Sequence, residues 1–214
     1  MRFCLNITAY HTYPYSGKDL YDFNQRIKAL VKKYSSEEKQ YWVTEYGIPA
    51  IDSEKFSRAS YDTQTKKMMQ SILVHWATGG SKFFIFSIWD KAVFDPDLTM
   101  QELKRNRSYY YGLLEKDMTP KPVYLALKWL SPLLDEYEPL EIQDKGDGIL
   151  ILAKHKLDGS RAYFSWGAQS QKKLFNNRSQ NKLKVCKSYN VEIKLNEVKL
   201  KVLGKRSNDV LFWR

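Results

Sequence analysis

Apolar residues recur along the first 138 positions with two alternating spacings, one typical of strands and one typical of helices. Short apolar runs predict three strands, at residues 3–9, 40–45 and 82–89. Apolar residues three and four positions apart predict three helices, at residues 19–34, 63–78 and 122–134. Strand and helix therefore alternate, which is the pattern of an α/β fold whose parallel strands are joined by right-handed crossovers.

The third predicted strand, residues 82–89, is the most apolar of the three. It reads Lys-Phe-Phe-Ile-Phe-Ser-Ile-Trp, without the alternation of a strand that has one wet face. A nearly continuous apolar run is typical of a strand in a parallel sheet that is covered on both sides. We therefore expect this strand to be buried on both faces.

The character of the chain changes after Pro139. Turn signals such as Lys145-Gly146-Asp147-Gly148 and Asp158-Gly159 separate short runs rich in Val, Ile and Leu. The predicted strands are residues 148–154, 161–166, 183–187, 190–195 and 198–202. Such spacing predicts an antiparallel β-sandwich of roughly 70 residues. Two domains are expected, an α/β domain at residues 1–138 and a β-sandwich module at residues 139–214.

Charge is divided unevenly between these segments. The net charge is +11, with 19 Lys/Arg and 17 Asp/Glu in residues 1–140 but 16 and 7 in residues 141–214. A basic surface attracts nucleic acid, anionic membranes or acidic polysaccharides. The lysines are scattered along strand-like runs, and no nucleic-acid-binding motif accompanies them, so the simpler interpretation is a solvated surface. No run approaches the ~20 apolar residues of a membrane span. We expect no nucleic-acid and no membrane partner.

Cysteine and histidine offer little further chemistry. Cys4 and Cys186 could form one disulfide or remain two free thiols, and they do not decide the redox compartment. His75 and His155 have no metal-ligand pattern around them, so neither a metal site nor a cofactor is expected.

Three predicted strands end in aromatic or acidic residues. His11 and Tyr13 follow the first strand, Glu45 closes the second and Trp89 closes the third. The carboxyl ends of parallel strands meet on one face, where α/β barrels keep their active sites. A carboxylate beside aromatic rings suits a sugar, because a ring packs on a pyranose while the carboxylate attacks the anomeric carbon. The plainer alternatives are a salt-bridged structural Glu45 and a core Trp89.

Several motifs in this order resemble the last strands of clan GH-A glycoside hydrolases, which are retaining enzymes with a (β/α)8 barrel. The matching segments are His11-Thr12-Tyr13-Pro14, Tyr41-Trp42-Val43-Thr44-Glu45-Tyr46-Gly47, Phe84-Ile85-Phe86-Ser87-Ile88-Trp89-Asp90, Tyr111-Gly112-Leu113-Leu114 and Pro120-Lys121-Pro122-Val123-Tyr124. The resemblance implies that Glu45 is the nucleophile, that His11 and Tyr13 line the subsite and orient it, and that Trp89 forms the floor of the sugar site.

The general acid/base that the resemblance calls for is missing from this chain. In the clan it is a Glu after an Asn at the end of the fourth strand, upstream of the matched segments. The pair Asn196-Glu197 falls in the β module and is interpreted as coincidence. A (β/α)8 barrel needs ~250 residues, and this chain supplies about three of its eight strands. We therefore expect a fragment, a truncated product, or a half that is completed by a missing N-terminal half or by self-association.

Two classes of function follow. The first is the C-terminal portion of a retaining glycoside hydrolase with a carbohydrate substrate, severely impaired as this chain alone. The second is a non-catalytic relic or carbohydrate-binding module. Efficient hydrolysis by the chain alone would require another acid, for which Asp90 or Asp95 is the candidate in the loop after the third strand. Otherwise Asp90 is expected to cap that loop.

Overall fold

The chain is mixed α/β and forms two compact units, Met1–Leu130 and Ser131–Arg214. The computed structural model describes residues 6–14, 16–50, 59–90, 110–146, 148–166, 191–195, 198–203 and 208–213. Outside these ranges lie Cys4, Cys186, Asp95 and the pair Asn196-Glu197, as does the strand predicted at residues 183–187.

Strands and helices alternate in the first unit as the pattern of apolar residues predicts. The elements are β1 (Ile7–His11), α1 (Gly17–Tyr34), β2 (Gln40–Tyr46), α2 (Ala59–Ala77), β3 (Gly80–Ile85) and α3 (Pro122–Glu136), the last of which continues into the second unit. The strands form one sheet in the order β1-β2-β3, and both neighbouring pairs are parallel. The parallel α/β arrangement is therefore confirmed.

Helix α1 begins two residues earlier than expected because Ser16 caps it. The Ser16 side chain accepts a hydrogen bond from the Asp19 N–H at 3.2 Å, and its hydroxyl donates to the Asp19 carboxylate at 2.7 Å. An acidic residue in the first turn and Lys32 and Lys33 in the last turn both suit the helix dipole.

Helices cover only one face of the sheet. Val43, Tyr46, Met68 and Val123 are fully buried together where the helices pack on the strands. Among the described residues the opposite face is exposed except at the half-buried Trp42, and this open face consists of Ile7, Ala9, Trp42, Thr44, Lys82 and Phe84. Side chains alternate between the two faces of a strand, which explains this division.

The expectation that the third strand is buried on both faces is wrong. Strand β3 ends at Ile85, and its residues alternate in burial, with Phe84 48% exposed on the open face. The Phe84 ring contacts that of Trp42, with centroids 6.2 Å apart. The apolar run therefore marks a strand whose second face is not covered by the described residues of this chain.

A buried polar chain ties the first strand to the two helices behind it. The Tyr10 hydroxyl donates to Asn24 at 2.6 Å, and the Asn24 amide donates to the Thr78 hydroxyl at 2.9 Å. Thr78 in turn donates to the carbonyl of Val74 at 2.8 Å. Because every member has a partner, this chain of bonds sets the register of α1 against α2 without leaving an unsatisfied group.

His75 lies beside that network without a good partner of its own. It is 3% exposed, its ring lies 5.3 Å from the ring of Phe83, and a Cβ on Gly80 would come within 2.1 Å of its Nε2. Backbone groups of Lys82 and Tyr41 favour the charged ring, but neither ring nitrogen has a hydrogen bond of acceptable geometry. Burial therefore dominates and lowers the pKa of His75 to about 4.

The second unit contains one sheet of six strands. The strands are β4 (Tyr137–Asp144), β5 (Ile149–His155), β6 (Arg161–Trp166), β7 (Val191–Leu195), β8 (Val198–Leu203) and β9 (Asn208–Trp213). Their order is β4-β5-β6-β9-β8-β7, and every neighbouring pair is antiparallel except β6 with β9, which is parallel. The described strands thus form one mainly antiparallel sheet where two packed sheets were expected.

Two of these strands were missed in the sequence. Strand β4 begins at Tyr137, before the predicted start of the β module at Pro139, and Pro139 pairs with Ala153 of β5. Proline lacks the N–H that a central strand must donate, and β4 tolerates it because it lies at the edge. Strand β9 pairs with β6 across a large sequence separation, which no local pattern reveals.

We expect stability to fall in acid because of His75. Its folded pKa lies below the unfolded value of 6.5, so its contribution is complete above pH 6.5 and is lost as the pH falls towards 4. Between pH 7 and pH 4.5 the loss should be on the order of 2–3 kcal/mol. Urea unfolding of wild type and His75→Phe at both pH values measures it. The variant should lose less stability than wild type, and an equal loss in the two proteins would contradict the assignment.

Candidate functional site

The candidate site begins where the pairing of β1 with β2 shifts register. Tyr10 pairs with Val43, but the next residue, His11, pairs with Glu45. Thr44 is the extra residue, and its hydroxyl donates to the Tyr10 carbonyl at 3.0 Å. A bulge of this kind re-aims side chains at the end of a sheet. Here it places His11 directly beside Glu45 at the carboxyl ends of two parallel strands.

Glu45 is held by two neighbours while its carboxylate stays accessible. Its Oε1 lies 3.5 Å from Nε2 of His11, and the same oxygen accepts a hydrogen bond from the Tyr13 hydroxyl. The Glu45 side chain is 34% exposed and that of His11 is 57% exposed. A carboxylate that is oriented by a phenol and open to solvent can act on a ligand.

Tyr13 is the centre of an aromatic cluster. Its ring stacks on Tyr46 at 6.2 Å with an interplanar angle of 19°, meets the edge of Tyr111 at 5.9 Å, and lies 5.4 Å from the ring of His11. Burial and the hydrogen bond to Glu45 raise the pKa of Tyr13 well above its usual range. Tyr13 therefore remains a hydrogen-bond donor to Glu45 at neutral pH.

Tyr46 anchors this cluster to the core. It is fully buried, and its hydroxyl is bonded to the Pro14 carbonyl at 3.1 Å and to the Ser71 hydroxyl at 2.7 Å. Burial raises the pKa of Tyr46 to about 12. The loop after β1 is thereby attached to helix α2, so the segment that carries Tyr13 does not rest on β1 alone.

Gly47 is required by the close approach of two segments. A Cβ at this position would meet the Phe86 carbonyl oxygen at 2.1 Å and Cδ1 of Tyr111 at 2.5 Å. The Phe86 N–H donates to the Tyr46 carbonyl at 2.8 Å, and the peptide bond between Phe86 and Ser87 is cis. Because only glycine fits, the segment after β3 packs directly against the residues that follow Glu45.

Trp89 lies past the end of β3 and is 51% exposed. It pairs with Leu114 in a single parallel bridge, and its carbonyl accepts a hydrogen bond from the Ser87 hydroxyl at 2.9 Å. The structure thus brings His11, Tyr13 and Glu45 together. No hydrogen bond, ion pair or ring contact among the described residues joins Trp89 to those three.

Asp90 is excluded as the acid by its burial. It is 5% exposed, and its carboxylate accepts hydrogen bonds from Lys121 Nζ at 2.7 Å and from the Gly112 N–H at 2.8 Å. Burial raises the pKa of Asp90 to about 6, against the opposing effect of Lys121. A carboxylate enclosed in this way cannot reach a leaving group. Its described partners are Gly112 and Lys121, and the other candidate, Asp95, lies outside the described residues.

Sequence reasoning missed three residues that build the site. Tyr46 and Tyr111 clamp Tyr13, and Lys121 neutralises Asp90. Tyr46 follows Glu45, and Tyr111 is the first residue of another matched segment. Both therefore lie in motifs of the resemblance, but the motifs assign no role to either residue. Lys121 stands between two prolines in a matched segment, where no local signal marks a lysine that is 1% exposed.

Neither a metal site nor a membrane-spanning helix is seen among the residues that the structure describes. They contain no group of three or more His, Cys, Asp or Glu side chains placed to hold a metal ion. None of the helices in the described ranges has the length and apolarity needed to cross a membrane.

Comparison with known proteins finds structural neighbours among glycoside hydrolases. A family 39 glycoside hydrolase from the gut symbiont Bacteroides cellulosilyticus WH2 is 21% identical over 68% of this chain and 27% of its own, with a TM-score of 0.48. A β-glucuronidase from an uncultured Clostridium sp. is 15% identical over 59% of this chain and 23% of its own, with a TM-score of 0.42. The chain thus spans about a quarter of each neighbour, and likeness at this level does not by itself assign a fold or an activity. No family model and no curated protein matches the chain.

We expect Lys121→Met to be strongly destabilising because it leaves Asp90 buried without a counter-charge. Breaking such a pair from one side typically costs about 3–5 kcal/mol. The double variant with Asp90→Asn should recover part of the loss, since the amide oxygen still accepts the Gly112 N–H. The matched control is Lys18→Met, which removes a surface pair with Asp22 and should cost under about 0.5 kcal/mol. Urea unfolding measures all three, and similar losses for Lys121→Met and Lys18→Met would contradict the prediction.

Proposed function

We propose that this chain is the C-terminal portion of a retaining O-glycoside hydrolase of the clan GH-A type, acting on a polysaccharide or glycoside. One observation carries the proposal. The Glu45 carboxylate lies at the carboxyl ends of two adjacent parallel strands, accepts a hydrogen bond from Tyr13 and faces His11. This is the edge of a parallel α/β sheet at which barrel enzymes keep their catalytic groups.

In the proposed reaction Glu45 attacks the anomeric carbon and forms a glycosyl ester as the leaving group departs. The Tyr13 hydroxyl holds one carboxylate oxygen, so the other oxygen is free to form the new bond. The pKa of Tyr13, raised by burial and by Glu45, keeps the phenol protonated in this role. The half-exposed ring of Trp89 would stack on the sugar.

We propose that the first unit supplies about the last three β/α units of a (β/α)8 barrel. The support is that helices cover one face of the parallel sheet while the other face carries exposed apolar side chains, as an unfinished barrel interior would. The outer edges of β1 and β3 have no partner strand among the described residues. Further β/α units, from a missing N-terminal half or from self-association, would cover these edges and this face.

The proposed reaction lacks a general acid in the described part of the chain. Retaining hydrolysis needs a second carboxyl group ~5–5.5 Å from the nucleophile to protonate the leaving group. The side chains that contact the Glu45 carboxylate in the described part of the chain are those of Tyr13 and His11. The Asp90 carboxylate is buried in an ion pair with Lys121. We infer that the chain alone cleaves unactivated glycosides very poorly, because general acid catalysis contributes about 10²–10⁴-fold.

We expect Glu45 to react with donors that need no protonation. A panel of 2,4-dinitrophenyl β-glycosides should release at most one equivalent of phenolate quickly and add one glycosyl unit to the chain, seen by intact-protein mass spectrometry. Glu45→Gln should show neither effect. Glu38→Gln, which changes an exposed carboxylate just before β2, should behave as wild type. Labelling of Glu45→Gln, or rapid turnover of an unactivated polysaccharide by wild type, would contradict the proposal.

The alternative is a non-catalytic relic or carbohydrate-binding module. It is favoured by the exposed Trp89 together with the absence of a second carboxylate around Glu45 in the described residues. The same panel separates the two functions. Reversible binding of a glycan that is lost in Trp89→Ala, without any labelling of Glu45, would support the binding module.

We expect the isolated chain to self-associate through the open face. Exposed apolar side chains and unpaired strand edges favour association with other chains. Phe84→Glu should lower the mass observed by sedimentation velocity, because Phe84 is 48% exposed on that face. Leu157→Glu is the matched control, since Leu157 is 91% exposed at the turn between β5 and β6. A monomeric wild type, or equal effects of the two variants, would count against the open face as the interface.

A further inference from the structure

Residues 110–114 form a strap that runs beside the segment after β3. The Ser87 N–H donates to the Tyr111 carbonyl at 3.2 Å, and the Leu113 N–H donates to the Ser87 carbonyl at 3.1 Å. The strap is also bonded to the segment after β2, because the Ala50 N–H donates to the Tyr110 carbonyl at 2.9 Å. Tyr111 is therefore fixed from two sides by backbone bonds.

The Tyr111 ring reaches from this strap into the candidate site. Its centroid is 5.6 Å from that of Phe86 and 5.9 Å from that of Tyr13, where the two rings meet edge to face at 73°. The ring also lies against Gly47, where a Cβ would come within 2.5 Å of Cδ1. The glycine is what allows the Tyr111 ring to lie this close to the chain that follows Glu45.

Tyr13 is consequently confined between two rings. The Tyr46 ring stacks on it with an interplanar angle of 19°, and the Tyr111 ring meets it at 73°. Tyr13 itself is 40% exposed, so without Tyr111 its side chain has room to turn towards solvent. An aromatic pair of this geometry favours the Tyr13 position beside Glu45 over one turned towards solvent by about 2- to 10-fold.

We propose that Tyr111 is a positioning residue, whose ring holds Tyr13 in the rotamer that donates a hydrogen bond to Glu45. Tyr111 acts through its ring, because the contacts with Tyr13, Phe86 and Gly47 all involve ring atoms. The hydrogen bond is a property of the folded chain, whereas its effect on glycosyl transfer rests on the proposed function.

The test follows the phenol of Tyr13 directly. Incorporating 3-fluorotyrosine at position 13 gives a single ¹⁹F signal whose shift against pH reports the ionisation of that residue. Ring-current offsets do not move the midpoint of the titration, but loss of the Tyr111 ring also exposes the phenol, and burial raises the pKa of Tyr13. The shift caused by Tyr111→Leu is therefore measured in the Glu45→Gln background as well, where an effect of solvent exposure persists and an effect of position on the bond to Glu45 is absent. Glu45→Gln provides the reference for a Tyr13 that no longer faces a carboxylate.

Tyr111→Leu should move the midpoint of the Tyr13 titration towards that of Glu45→Gln, whereas Tyr111→Phe should restore it to near the wild-type value. Tyr124→Leu is the matched control, since it removes an exposed tyrosine of α3, and should leave the midpoint unchanged. Circular dichroism checks folding, and Tyr111→Met replaces Tyr111→Leu if that variant fails to fold. An unchanged midpoint in folded Tyr111→Leu or Tyr111→Met would overturn the proposal, as would an equal shift in Tyr124→Leu.

The labelling of Glu45 by dinitrophenyl glycosides separates this proposal from the proposed function. If both hold, Tyr111→Leu should be labelled about 2- to 10-fold more slowly than wild type and Tyr111→Phe at nearly the wild-type rate. A shifted Tyr13 midpoint in Tyr111→Leu with no labelling of wild type would support the positioning role and reject the glycosidase. Labelling of wild type together with an unshifted Tyr13 midpoint in Tyr111→Leu would support the glycosidase and reject the positioning role.

Discussion

The parallel pairing of β1 with β2 is the constraint on which the candidate site depends. It places the carboxyl ends of both strands at one edge, and the register shift after Tyr10 sets His11 opposite Glu45. A regular register would pair His11 with Thr44 and turn Glu45 towards the other face, because side chains alternate along a strand. Tyr13 reaches the carboxylate because it follows β1 at the edge where Glu45 lies near the end of β2.

Close packing of three connecting segments then stabilises this edge. Gly47 admits the Phe86 carbonyl and the Tyr111 ring, and the strap that follows is held by the buried pair of Asp90 and Lys121. A buried ion pair contributes little net stability, yet losing either partner is costly. Its effect here is on geometry, since Asp90 also accepts the Gly112 N–H beside Tyr111. The Asp90 carboxylate therefore positions the strap at residues 110–114 and does not serve as an acid.

The exposed face of the sheet explains why the apolar run at residues 82–89 predicted a strand correctly but predicted the burial of that strand wrongly. A strand that is covered on both sides needs apolar residues on both faces, and the run around Phe84 has that composition. In this chain the helices cover one side, and Phe84 remains 48% exposed. The composition of β3 therefore does not match its burial among the described residues.

Sequence alone determined the order of strands and helices in the first unit, because periodicities of 2 and 3.6 residues are local properties. It also singled out His11, Tyr13 and Glu45, since parallel strands bring their carboxyl ends together. Tertiary structure decided what depends on distant residues: the register shift at Glu45, the parallel pairing of β9 with β6, and the edge position that tolerates Pro139. It also enclosed Asp90 with Lys121, 31 residues away, and packed Tyr111 on Tyr13. No local pattern encodes these contacts, because each requires segments far apart in the chain to be already folded against one another.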